Sequence, residues 1–187
     1  MFRLLRPGTL LRGFQAVQSS FFHQASRLIT LKRLAKSADS STDIGFDTLR
    51  SLLSKNPFII EVGSFTGGDT EKFALAFPEA EIHGFEADKE NFSKAWERMR
   101  HYPNVHLTCA ACSNCFGVSS FITSDGDSRA AGSLLHPTTH LQKFPGVTFA
   151  TSDLPLVPTL PLSSYLSALD FRNSIIDLLW LDVQGES

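Results

Sequence analysis

The chain has 187 residues, 42% of them hydrophobic, and a formal net charge of −2, enough apolar material for one buried core. No apolar run approaches the ~18 residues that a membrane-spanning helix needs. Residues 1–38 hold seven basic residues (Arg3, Arg6, Arg12, Arg27, Lys32, Arg33, Lys36) and no acid, which leaves ten basic against nineteen acidic residues in the remainder; so acidic a body argues against nucleic acid as a partner, since that requires a clustered basic face.

In the first 38 residues Leu4, Leu5, Leu10, Leu11, Phe14 and Val17 recur at spacings that fit one apolar helical face. A positive amphipathic helix without acids has the pattern of an organelle transit peptide. The expected location is therefore intracellular: mitochondrion or plastid if this segment acts as a leader, cytoplasm if it is only a basic tail. Arg12 and Gly13 interrupt the apolar stretch that a secretory signal would need. A polar linker over 36–42 separates this tail (1–42) from a single domain (43–187). The three cysteines, Cys109, Cys112 and Cys115, fall within seven residues, an odd and clustered set that fits a reducing compartment better than a disulfide framework.

Residues 43–55 predict a helix with Phe46, Leu49, Leu52 and Leu53 on one side, ended by Asn56-Pro57 because the residue before proline leaves the helical region. Residues 58–62 (FIIEV) read as a strand covered on both faces. A glycine-containing turn follows over 63–68, and Asp69 is expected to cap a helix running to Phe77. The pattern then repeats. A second strand spans 80–85, Asp88 caps a helix over 89–101 with Phe92, Ala95, Trp96 and Met99 inward, and a third strand spans 105–111. GVSSFIT (117–123) predicts an added short strand. Residues 124–161, rich in Ser, Thr, Pro and Gly, read as a long loop, the kind that usually serves as a lid or binding segment. A helix over 161–170 leads to a fourth buried strand over 174–181, continuing into Asp182-Val183-Gln184-Gly185-Glu186. Strands alternating with helices imply an α/β fold with a doubly wound, mostly parallel sheet.

In such sheets ligands sit at the carboxyl ends of the strands, where the strand order reverses. The first strand ends at Glu61, followed by a turn in which Gly63 and Gly67 permit a tight bend and close approach by a ligand. A phosphate cradle would carry a Lys and Ser/Thr at the helix start, and neither that spacing nor the Lys is present. An acid beside the turn suits a cationic or amine-bearing ligand instead. Glu86, 23 residues beyond Gly63, stands where a carboxylate accepts hydrogen bonds from two ribose hydroxyls. Strand acid, glycine turn and second acid together point to an adenosine-type ligand.

The segments IIEVGSFTGGDT, IHGFEAD and DLLWLDVQGE, spread over residues 57–186, resemble the FkbM-type family of S-adenosylmethionine-dependent methyltransferases, a class I, Rossmann-like group. The resemblance implies S-adenosylmethionine as cofactor. Glu61 would stand near its amino-acid end, with the backbone of Gly63, Ser64 and Gly67 along it, Glu86 on the ribose, and Ala110 and Ala111 near the adenine. It implies transfer of a methyl group to an oxygen of a sugar, lipid or secondary metabolite, a small-molecule or glycan/lipid acceptor. Asp182 and Glu186 are the candidate catalytic residues, and His136 and His140 in the long loop are further candidate bases. Two departures stand out: Phe65 occupies a turn position where many relatives carry a small or amide residue, and a complete fold of this class continues past the fourth strand. The expectation is therefore a domain incomplete at its C-terminus, with the cofactor half present and the acceptor half lacking.

Three other readings compete. A nicotinamide-dependent oxidoreductase would carry G-x-G-x-x-G, whereas the glycines here run G-x-x-x-G-G. A non-catalytic module could keep the fold and the cofactor without turnover. His106, Cys109, Cys112 and Cys115 offer four ligands at a spacing of three for zinc or an iron–sulfur cluster. Residues three apart on a strand point to opposite faces, however, so no metal is expected on that run.

Overall fold

A computed structural model describes residues 46–126, 130–135, 146–169 and 175–183. The chain opens with helix α1 (Phe46–Leu52), then strand β1 (Phe58–Val62), helix α2 (Gly68–Ala76), strand β2 (Glu81–Glu86), helix α3 (Lys89–Met99) and strand β3 (Val105–Cys109). Four short strands follow: β4 (Ala111–Cys112), β5 (Gly117–Ser120), β6 (Ser124–Gly126) and β7 (Val147–Phe149). Strand β8 (Leu156–Leu160), helix α4 (Leu162–Ala168) and strand β9 (Leu178–Leu181) complete the described elements.

The main sheet has the order β3-β2-β1-β9 with every pairing parallel. Every residue of β1 is buried, which is why its sequence runs apolar without alternating. Ile59 packs with Leu49, Phe73, Ala74 and Ile82 on the face carrying α1 and α2. Phe58, Ile60 and Val62 point to the other face, against Leu166 and Tyr165 of α4. The chain winds outward through β1, β2 and β3 and returns to place β9 on the free side of β1. This reversal goes with helices on both faces, α1 and α2 on one and α4 on the other. The doubly wound, mostly parallel α/β arrangement expected from the sequence is the one present.

The segment over 124–161 is the largest correction. The described parts contain β6 and β7, paired antiparallel, and β8, which pairs parallel with β4 and antiparallel with β5. Expected strand 105–111 is also split: β3 ends at Cys109, and Ala111 begins β4 in a different sheet.

Smaller corrections have local causes. Asp69 does not cap α2; the cap is Gly67 in the left-handed region at φ 79°, and Asp69 sits in the first turn bound to Lys72 Nζ at 2.7 Å. Asp88 does cap α3, its Oδ1 accepting from the Glu90 and Asn91 amides at 2.8 and 3.0 Å. Trp96 points outward at 53% exposure, while Asn91, Ala95 and Met99 form the buried stripe. Strand β9 is buried only at Leu178, with its other residues half-buried.

Candidate functional site

The reversal of strand order falls between β1 and β9, and in sheets of this kind ligands bind outside the carboxyl ends of the strands at such a point. Four segments meet there: the turn after β1, the end of β2, the β3–β4 junction and the residues after β9.

Glu61 pairs in register with Gly84 of β2, and residues opposite each other share a face. Glu86 lies two residues beyond Gly84 and returns to that same face. The two carboxylates are therefore on one side of the sheet, the side of α2. The turn between them binds both. Glu61 Oε2 accepts from Ser64 Oγ at 3.1 Å and Thr70 Oγ1 at 2.5 Å. Glu86 Oε2 accepts from the Phe65 amide at 2.7 Å, and its Oε1 from the Asp88 amide at 2.8 Å. Gly63 and Ser64 both donate their amides to the Phe85 carbonyl, at 2.9 and 3.0 Å.

The bend needs its glycines. Gly63 has φ 91° and Gly67 φ 79°, values that a residue with a Cβ adopts only with strain. At Gly63 a Cβ would also run into the Asp182 carbonyl. Phe65 is a non-glycine residue at φ 49°, a position worth about 1–3 kcal/mol of strain. That conformation aims its amide at Glu86. The bulky Phe65 is thus accommodated by a left-handed backbone.

Glu61 is 1% exposed and Glu86 8% exposed. Burial pushes both carboxyls up to about 7, because the ionised form loses water. The Thr70 and Ser64 hydroxyls oppose this at Glu61, and the Asp88 and Phe65 amides oppose it at Glu86, in each case by less than burial contributes. Nearby Asp69 and Asp182 raise Glu61 further. Two carboxylates poised at neutral pH are ready to ionise when a cation arrives.

Ala110 and Ala111 are buried, and Ala111 packs with Phe121 and Val157 beside Ala87, the residue after Glu86. Asp182 reaches the turn by its backbone, its amide donating to the Val62 carbonyl at 2.9 Å. Asp182 is itself exposed, just past the end of β9. Glu186, His136 and His140 lie outside the described residues. Cys109 is on β3, Cys112 on β4 of another sheet, and Cys115 is exposed. Burial raises the Cys112 thiol to about 12, far from the thiolate a metal would take.

Two residues of the site were not singled out from the sequence. Thr70 holds Glu61 from the first turn of α2. Gly84 gives the carboxylate pair its room: a Cβ there would lie 2.6 Å from Ser64 Oγ and 2.7 Å from Leu107 Cδ2. A glycine in the interior of a buried strand is the available signal, since it marks close approach by another group. A hollow of about 410 Å³ lies elsewhere, beside Arg50, Lys55, Phe77 and Glu79 at the ends of α1 and α2. It is at the amino-terminal edge of the sheet, away from these groups.

A parallel sheet whose order reverses beside a glycine bend gives the chain a Rossmann-like fold. The model of the methyltransferase FkbM domain matches residues 61–186, and the chain belongs to that family, whose members use S-adenosylmethionine. The curated 2-O-methyltransferase NoeI of Sinorhizobium fredii (strain NBRC 101917 / NGR234) is 33% identical over 142 residues, covering 72% of this chain and 56% of the relative. The chain thus spans a little over half the length of that relative. Among solved structures, an rRNA methylase from Streptococcus thermophilus is 18% identical over 40% of this chain and 46% of its own, with a TM-score of 0.33. CalS10, an amino pentose methyltransferase from Micromonospora echinaspora, is 14% identical over 76% of this chain and 88% of its own, with a TM-score of 0.29.

Proposed function

We propose that this chain binds S-adenosylmethionine between Glu61 and Glu86 and serves the methylation of a hydroxyl on a sugar or similar small molecule. The observation that carries the reading is the shared face of the two carboxylates, joined through the turn that separates them. The residues fit the cofactor. Gly63 and Gly67 leave backbone without side chains where a ligand passes, and Glu61 offers a carboxylate to the charged amino-acid end. Glu86 can accept from paired hydroxyls, and Ala110 and Ala111 are small and apolar enough to flank a flat ring. The methyltransferase family supports the chemistry, and the relative named as a 2-O-methyltransferase supports oxygen as the target.

When bound, the cofactor supplies a methyl group on a sulfonium centre, open to attack in line. The protein's part is to position the acceptor and take up its proton. Asp182, held at the glycine turn by its amide and exposed on the ligand side, is the described residue suited to orient the acceptor hydroxyl and accept that proton. Glu186 is assigned the supporting acidic role.

The test is transfer of labelled methyl from S-adenosylmethionine to sugar and oligosaccharide acceptors. Transfer to oxygen, with Asp182→Asn lowering kcat by about 10²-fold or more while cofactor affinity holds, supports the reading. Cofactor binding without transfer to any such acceptor would leave a non-catalytic binding module. Transfer undiminished in Asp182→Asn would remove that residue from the mechanism.

A further inference from the structure

The opposite face of the sheet carries a second cluster of ligating side chains, unrelated to the carboxylate pair. Glu81 and His83 are two residues apart on β2 and so project to the same face. His83 pairs in register with His106 on β3, which brings the imidazoles of adjacent strands together with ring centroids 4.7 Å apart. One ligand atom from each of Glu81, His83 and His106 can be chosen so that all lie within 4.8 Å of one another. We propose that these three side chains form a binding site for one divalent transition-metal ion of the zinc class.

Two imidazoles and one carboxylate are a nitrogen and oxygen donor set that zinc takes. The imidazole between them is already oriented. His83 Nδ1 lies 2.9 Å from the Tyr165 hydroxyl of α4, which leaves Nε2 on the Glu81 side, 3.1 Å from Glu81 Oε1. A ligating histidine commonly has its second ring nitrogen held by an outer partner that fixes tautomer and orientation, and Tyr165 occupies that place. The site is reachable from solvent. His106 is exposed and the Glu81 side chain is 44% exposed, whereas the His83 side chain is 4% exposed.

Tetrahedral ligands at about 2.0–2.2 Å from zinc stand about 3.5 Å from one another. The cluster must therefore close by about 1 Å at its widest, a movement the exposed ends of His106 and Glu81 can make. The Glu81–His83 hydrogen bond would give way to two bonds to the metal, and water would complete the coordination. Strand spacing puts His83 about 10 Å along β2 from Glu86, and on the other face, so such an ion would clip β2, β3 and α4 together without touching the carboxylate pair. The cluster also differs from the cysteine run: only His106 is common to both, and no thiol belongs to it.

The experiment uses the untagged full chain, stripped with a chelator and titrated with zinc, then with cobalt(II) as a spectroscopic probe. The proposal expects one zinc per chain and a rise in Tm. The cobalt spectrum should show nitrogen and oxygen ligands without a thiolate charge-transfer band. His106→Gln, at an exposed position, should weaken zinc binding at least tenfold with an unchanged circular dichroism spectrum, and Glu81→Gln should do the same. Failure to bind zinc, binding of equal strength in both variants, or a thiolate band that persists in His106→Gln would each overturn it.

Discussion

Glu61 and Glu86 make the ligand-free protein sensitive to pH in a direction that follows from their environment. Both carboxyls ionise near 7 in the fold, against about 4.5 when unfolded. The folded chain therefore holds more protons than the unfolded chain between those values, and stability is lost as pH rises from about 4.5 to 7. Denaturant unfolding of the ligand-free chain should give a lower midpoint at pH 7.5 than at pH 5, and Glu61→Gln should flatten the difference. A cationic ligand reverses the balance by favouring the ionised pair. Binding of S-adenosylmethionine should tighten through pH 6–8 and release protons, which calorimetry in buffers of different ionisation enthalpy reads directly. Gly84 is the other residue whose role is steric. Gly84→Ala must push Ser64 or Leu107 aside, and overpacking of this kind costs about 1–3 kcal/mol. The variant should unfold at lower denaturant and bind cofactor less tightly, because Ser64 holds Glu61.

At the level of elements, Asp88 offers a clean check on how the second strand hands over to its helix. Its carboxylate accepts from two amides at the start of α3, and Asp88→Ala should cost about 1 kcal/mol, seen as a fall in Tm without loss of cofactor binding. The elements that sequence made legible are those with local signals. The unbroken apolar run of β1, the Asp88 cap and the helix break at Asn56-Pro57 all declare themselves within a few residues. The elements that escaped are set by distant partners. Strand β8 contains Pro158, which argues against a strand, yet β4 pairs only with Thr159 and Leu160, leaving Pro158 opposite Val118 on the β5 side alone. Strand β6 reads Ser-Asp-Gly and is a strand because Phe149, Thr148 and Val147 lie opposite it. Helical spacing puts Ala95, Met99 and Trp96 inward, and the buried stripe of α3 keeps the first two but takes Asn91 in place of Trp96. The candidate site followed the same rule. Glu61, Gly63, Gly67 and Glu86 announced themselves by spacing, whereas Thr70 and Gly84 matter only once β1, β2 and α2 are packed together.

For the whole molecule, the order β3-β2-β1-β9 explains why chemistry gathers at one edge. Strands β1 and β9 stay paired to their carboxyl ends, where Val62 lies opposite Leu181, and the turn after β1 meets the segment after β9 there. Asp177 ties the far edge, its Oδ2 accepting from the Phe58 amide at 2.9 Å while its own amide donates to the Phe58 carbonyl at 3.0 Å. This fixes the register that brings Asp182 beside Gly63. No helix among the described residues is long and apolar enough to cross a membrane, and the basic segment over 1–38 lies outside them. The proposed site holds one small molecule between two acids on one face. Calorimetric titration of S-adenosylmethionine into the chain at pH 7.5, compared with Glu86→Gln, tests it most directly. One site per chain is expected, with affinity at least tenfold weaker in the variant, as the loss of a charge-assisted hydrogen bond of about 1.5–3 kcal/mol requires. Equal affinity in both proteins, or heat with NAD and none with S-adenosylmethionine, would contradict it.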